Sequence, residues 1–226
     1  MLFFVNLILA AMLIWLACKY FDLKQSLSPS EDRYEKIINS ISSIIDVVEG
    51  YKKAHSKEVA DIAIKIAEKT SMSAKQKKSL EIAAKLHDVG MLMVMNDVIK
   101  SRHKLKGEDF FLMKNHPLLA EHYLKQEVHI SDEVPSIIRW HHERWDGFGY
   151  PDSLRGEQIP LASRILSIAD AVSSMRSQRN YRKKSYKSDQ DIIIELKQQA
   201  GLQFDPILIK IAVAILEEAN IGIEES

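Results

Sequence analysis

From Gly50 onward the apolar positions of this chain recur at helical spacing. Val59, Ile62, Ala63, Ile66 and Ala67 form one stripe, Leu80, Ala83 and Ala84 another, and residues 192–196 and 207–216 carry the last two. Steps of three and four put such residues on one face of a helix. No run alternates apolar with polar as a half-buried strand would, so an all-α domain, a helical bundle, is the expectation. Upstream, Tyr34, Ile37, Ile41, Ile44 and Val48 alternate steps of three and four, with Ile38 and Ile45 alongside. Two heptads fall short of the three or four that argue for a coiled coil, so packing of this helix against the main domain is preferred over a homodimer seam. Ser28, Pro29 and Glu31 just before it have the order of a capping box with proline at the first helical position.

The pattern breaks down at the N-terminus, where the apolar residues have no face. No side chain from Met1 to Cys18 is charged, and the apolar character continues through Tyr20 and Phe21. As a helix this stretch is roughly 30 Å long, the thickness of a bilayer core. A cleaved signal peptide would open with Lys or Arg, which is missing here. We therefore expect a single transmembrane anchor over 1–21, a linker and amphipathic helix over 22–50, the main domain over 51–218 and a tail over 219–226. Lys19 and Lys24 follow the span, and the positive-inside rule puts the rest of the chain in the cytoplasm. The expected location is a bacterial inner membrane.

Composition narrows the chemistry. In 226 residues, 31 Lys and Arg balance 31 Asp and Glu, which gives no basic field for nucleic acid. The single cysteine, Cys18, excludes cysteine-rich metal sites, so any metal must be held by His, Asp and Glu. His55 stands four residues before Val59, and His87 has the same relation to Ala83 and Leu80, so both share the faces that pack inward. One inward histidine is usually a satisfied core residue. Here, however, His87 is followed by Asp88, His116 lies in "KNHP", His141 and His142 are adjacent, and Asp170 interrupts the apolar run "RILSIADAV". A carboxylate buried in such a run is costly unless paired or bound to metal. Imidazoles and carboxylates on separate helices are how bundles build metal sites.

"HDVG" at 87–90, "HHERWDGFGYP" at 141–151 and "RGEQIPLASRILSIADAV" at 155–172 resemble the HD-GYP subfamily of HD-domain phosphohydrolases, whose members hydrolyse cyclic di-GMP. The resemblance covers roughly Tyr51 to Leu216. It implies a binuclear centre on His55, His87, Asp88, His116, His141, His142 and Asp170. Asp88, at the catalytic centre, would bridge two metals, with His55, His87 and Asp170 on one and His116, His141 and His142 on the other. Asp146, Gly147, Gly149, Tyr150 and Pro151 would form the lip of the site, and Arg179 and Arg182 would hold substrate phosphates. Without the resemblance, "RNYRK" reads as a solvated basic loop. Two divalent cations would supply hydroxide near neutral pH and neutralise phosphate oxygens. Ligands without thiolate suit iron or manganese, with zinc and nickel left open.

The implied activity is a membrane-anchored cyclic di-GMP phosphodiesterase releasing the linear dinucleotide pGpG and onward GMP, with diguanylate cyclases or other signalling proteins as candidate partners. Four positions depart from the family pattern. Met91 stands where the HDxGK lysine is usual, a loss worth roughly 10²–10³ in rate by analogy with other charge-stabilising donors. Ser173 replaces a common Asp, Asn180 a common Pro, and Tyr51 the Glu that binds a third metal in some members, so two metals are expected. The alternatives are a catalytically weak cyclic-dinucleotide receptor or docking module, and a hydrolase of another nucleotide.

Overall fold

The computed structural model describes residues 33–51, 54–94, 112–128, 130–177 and 187–224. The chain divides into two compact units, Met1–Ser40 and Ile41–Ser226. In the first, residues 33–40 are helical. The second is built from α1 (41–48), α2 (His55–Glu68), α3 (Ala74–Leu86), α4 (His116–Tyr123), α5 (Glu133–Arg139), α6 (Leu161–Arg176), α7 (Asp189–Gln199) and α8 (Pro206–Glu224). Among the described residues there is no β-ladder beyond one isolated bridge between Ala200 and Phe204, in keeping with the all-α expectation.

Helix α2 is central, packing along both α3 and α6. Ile62 at the edge of its stripe is half-buried, while the other four members, Val59, Ala63, Ile66 and Ala67, are fully inaccessible. They meet Leu80, Ala83 and Ala84 from α3 and Ile165, Ile168, Ala169 and Val172 from α6, also fully buried. Small residues on these faces let the backbones approach closely, which brings side chains at the facing helix ends within reach of one another. Helices α3 and α7 start at Ser73 and Ser188, each closing a capping box with the residue three positions on. The start of α2 has no such local cap. Asp46 of α1 supplies it from outside, its Oδ1 accepting from Ser56 N at 3.1 Å and Ser56 Oγ at 2.6 Å. A carboxylate there also complements the positive end of the helix dipole.

The stripe expected before Gly50 is placed differently. Ile38 and Ile45 are the buried members, while Tyr34, Ile37 and Ile44 are exposed. Over 41–48 the inward face is set by Ser42, Ile45 and Asp46, because Asp46 must reach the start of α2. Among the described residues no helix is long and apolar enough to cross a membrane. The span expected at 1–21, the capping box at 28–31, and Arg179, Asn180 and Arg182 lie outside the described residues.

Candidate metal centre

His55 opens α2, His87 and Asp88 follow the last turn of α3, His116 opens α4, His141 and His142 follow α5, and Asp170 lies within α6. All seven expected ligands therefore come from element ends or inner faces that meet in one place. Their donor atoms form two groups, one of His55, His87 and Asp170, the other of Asp88, His116, His141 and His142, each with its donors within 4.8 Å of one another. Asp88 turns one oxygen toward each: Oδ2 is 3.0 Å from His87 Nε2 and Oδ1 is 3.2 Å from His116 Nε2. Asp170 Oδ1 lies 3.4 Å from His55 Nε2 and accepts from Ser174 Oγ at 3.0 Å.

The imidazoles are oriented from behind. Nδ1 of His87 donates to Ala84 O at 2.8 Å, that of His116 to Met113 O at 2.8 Å, and that of His141 to Ile138 O at 2.6 Å. Each acceptor is the carbonyl three residues earlier, exposed by the end of a turn. A proton held on Nδ1 leaves the Nε2 lone pair facing the cluster, the tautomer a metal requires. Nε2 of His55 and of His87 are buried without a hydrogen bond, although Asp88 Oδ2 stands 3.0 Å from His87 Nε2. These two buried, unsatisfied nitrogens beside Asp170 and Asp88 fit a cation in the His55, His87 and Asp170 group.

The electrostatics differ across the centre. Burial alone would push the His87 imidazolium toward neutrality, but the charges of Asp88 and Asp170 more than offset it and raise its pKa to about 10. Burial likewise favours the neutral form of Asp88, yet His87 and His116 hold its carboxyl well below the usual range. His141 and His142 go the other way. Burial and the neighbouring imidazoles push His141 far down and His142 to about 3, so both are neutral bases at pH 7.

The "DGFGYP" loop sits at the edge of this centre. The Tyr150 ring lies 4.9 Å from that of His142, and Tyr150 N donates to His142 O at 3.2 Å. Lys114 Nζ is 5.6 Å from the Tyr150 ring centre, a cation at the lip that sequence reading missed. Gly147 adopts φ +85, open to glycine at little cost. At Gly149 a Cβ would come within 2.3 Å of Arg144 N, so the loop lies directly on the chain that follows the histidine pair. Glu143, beside that pair, is not in either cluster. Buried, it accepts from Asp152 N at 2.7 Å and Leu154 N at 3.1 Å and pins the loop's far side. Asp146 is likewise structural, bound by two nitrogens of Arg144 at 3.0 and 2.6 Å.

Gly90 was legible only as part of "HDVG". A Cβ there would lie 2.0 Å from His116 O and 2.9 Å from Ala120 N, so its lack of a side chain lets α4 close on the His-Asp turn. Met91 is buried and brings no charge to that turn. Tyr51, at the position of the extra Glu, stacks on His55 with ring centres 3.9 Å apart and planes at 9°.

Comparison with known proteins agrees with this geometry. A family model described as an HD domain matches residues 39–208. The chain is 32% identical over 185 residues to the cyclic di-GMP phosphodiesterase response regulator RpfG of Xanthomonas campestris, covering 81% of this chain and 48% of that protein. It is 26% identical over 185 residues to the 3'3'-cGAMP-specific phosphodiesterase 2 of Vibrio cholerae, covering 81% of this chain and 35% of that protein. The fold is similar to that of a cyclic GMP-AMP specific phosphodiesterase of V. cholerae, with a TM-score of 0.62 at 21% identity over 80% of this chain and 48% of that one. The chain thus spans half or less of the length of these proteins.

Proposed function

This chain belongs to the HD domain family and is related to the HD-GYP cyclic di-GMP phosphodiesterases, and from that premise we propose that it is a metal-dependent phosphodiesterase of cyclic di-GMP. The observation that carries the reading is the Asp88 carboxylate standing between two clusters of ligand atoms, one oxygen toward each. Two divalent ions, iron or manganese by donor type, would be held by His55, His87 and Asp170 and by His116, His141 and His142, with Asp88 shared. When bound, such a pair makes hydroxide available near pH 7 and neutralises the phosphate oxygens it approaches.

The protein's own part is to hold those groups in place and exclude water. Backbone carbonyls fix three imidazoles with Nε2 inward, and burial keeps His141 and His142 unprotonated. Tyr150 and Lys114 stand at the lip, where Lys114 provides a cation for a second phosphate. In this reading Arg179 and Arg182 add guanidinium contacts to the phosphates. Hydrolysis gives pGpG and then GMP. We further propose that residues 1–21 anchor the chain in a bacterial inner membrane with the catalytic domain in the cytoplasm, where diguanylate cyclases are candidate partners.

One observation favours a second reading. Met91 is buried at the His-Asp turn and supplies no cation there, which suits a receptor that binds a cyclic dinucleotide without turning it over. Turnover by protein loaded anaerobically with iron or with manganese decides between them, with cyclic di-GMP and 3'3'-cGAMP assayed in parallel. Release of pGpG supports the phosphodiesterase. Tight binding of cyclic di-GMP with two metals present and no product would establish the receptor, and preferential cleavage of 3'3'-cGAMP would reassign the substrate.

A further inference from the structure

We propose that Glu58 and Ser173 form a positioning relay that fixes the His55 imidazole for the ion of the His55, His87 and Asp170 cluster; this rests on reading that cluster as a metal site. Three of the histidines are oriented by a carbonyl three residues earlier, at the end of a turn. His55 is the first residue of α2 and has no preceding helical turn to use. Its Nδ1 instead meets Ser173 Oγ of α6 at 2.9 Å.

The direction of this contact follows from the next one. Ser173 Oγ lies 2.8 Å from Glu58 Oε2, and a carboxylate oxygen only accepts, so the single serine proton points to Glu58. The serine lone pair is then left to accept from His55 Nδ1–H. That places the imidazole lone pair on Nε2, the atom that is buried, without a hydrogen bond, and 3.4 Å from Asp170 Oδ1. Glu58 is held in turn by Arg176 Nη1 at 3.4 Å, and Arg176 is anchored on Asp189 by two bonds of 2.8 and 2.7 Å.

The spacing makes this a built arrangement. His55 and Glu58 are three apart on α2, and Asp170 and Ser173 are three apart on α6, so each helix presents one ligand and one positioning group on the same side. His55 and Ser173 are both fully buried, so no water replaces the serine hydroxyl. A carboxylate acting through a hydroxyl thus orients this ligand, and partners of this kind are worth about 10–100-fold in metal affinity.

The test is manganese binding by the full chain, read by calorimetry and by metal content after gel filtration, with His87→Ala and His142→Ala marking the two ions. Ser173→Ala should weaken the ion marked by His87→Ala about 10–100-fold and leave the other as in wild type. Glu58→Ala should weaken the same ion, and the double variant should be no weaker than Ser173→Ala alone, because Glu58 acts through Ser173. If Ser173→Ala does not fold, Glu58→Ala, at a partly exposed position, carries the test by its selectivity for that ion. Two ions bound with wild-type affinity in both single variants, equal loss of both ions, or additive losses would each overturn the relay. Wild-type protein that binds no manganese or iron would instead overturn the metal reading on which the relay rests.

Discussion

Asp88 is the residue on which both clusters depend, since each of its oxygens faces one of them. Asp88→Ala should therefore lose both ions, whereas His142→Ala should lose mainly the one shared with His116 and His141; metal analysis of the purified variants measures this. Protonation separates the two clusters further. His87 in the metal-free protein holds its proton up to about pH 10, so an ion that takes its Nε2 must displace that proton. His141 and His142 have none to lose at neutral pH. At pH 6, calorimetry in buffers of different ionisation enthalpy should record about one proton released on account of His87, abolished in His87→Ala. Affinity for that ion should rise with pH until His87 titrates. The sign for stability is opposite. A raised pKa in the folded, metal-free state means the His87 contribution is full below the unfolded value of 6.5 and is lost as pH rises through about 10.

At the scale of elements, the centre depends on how closely helix ends approach. Gly90 is the point where α4 meets the His-Asp turn, and any side chain there meets backbone that cannot move without carrying His116 with it. Gly90→Ala should cost about 3 kcal/mol, the upper end of overpacking losses, which lowers Tm by roughly 6–12 °C for a domain of this size. It should also weaken the ion on His116, His141 and His142 more than the other. Thermal melts with and without manganese check both. The start of α2 shows the same dependence. Its first turn is capped by Asp46 from another helix, so His55 is placed by a tertiary contact rather than by a local signal. The loop at 146–154 is shaped by Glu143, Asp146 and Gly149 rather than by contact with the clusters, and Tyr150 alone of its motif residues stacks near a ligand histidine.

For the whole molecule, the inner-membrane location we propose rests on residues 1–21 and the lysines after them. A reporter fused after Ser226 should be active only if it is of a cytoplasmic type, with the protein in the membrane fraction; recovery of the full chain in the soluble fraction would count against the anchor. What the sequence alone determined was the helical class and, through the family resemblance, the seven candidate ligands. Helical spacing of apolar residues is a local property; His55 and His87 fall on its inward faces and Asp170 interrupts an apolar run, places where an unpaired polar group would be costly. The division of those seven residues into two clusters also agrees with the family resemblance. Contacts between elements were decided only by the tertiary structure. Over 41–48 the buried side includes Asp46, which caps α2 through a contact that no periodicity records. The closeness that Gly90 allows depends on α4, 26 residues away in the chain. The proton on His55 was fixed by Ser173 and Glu58, since a hydrogen bond between facing helices has no signature in either helix read alone.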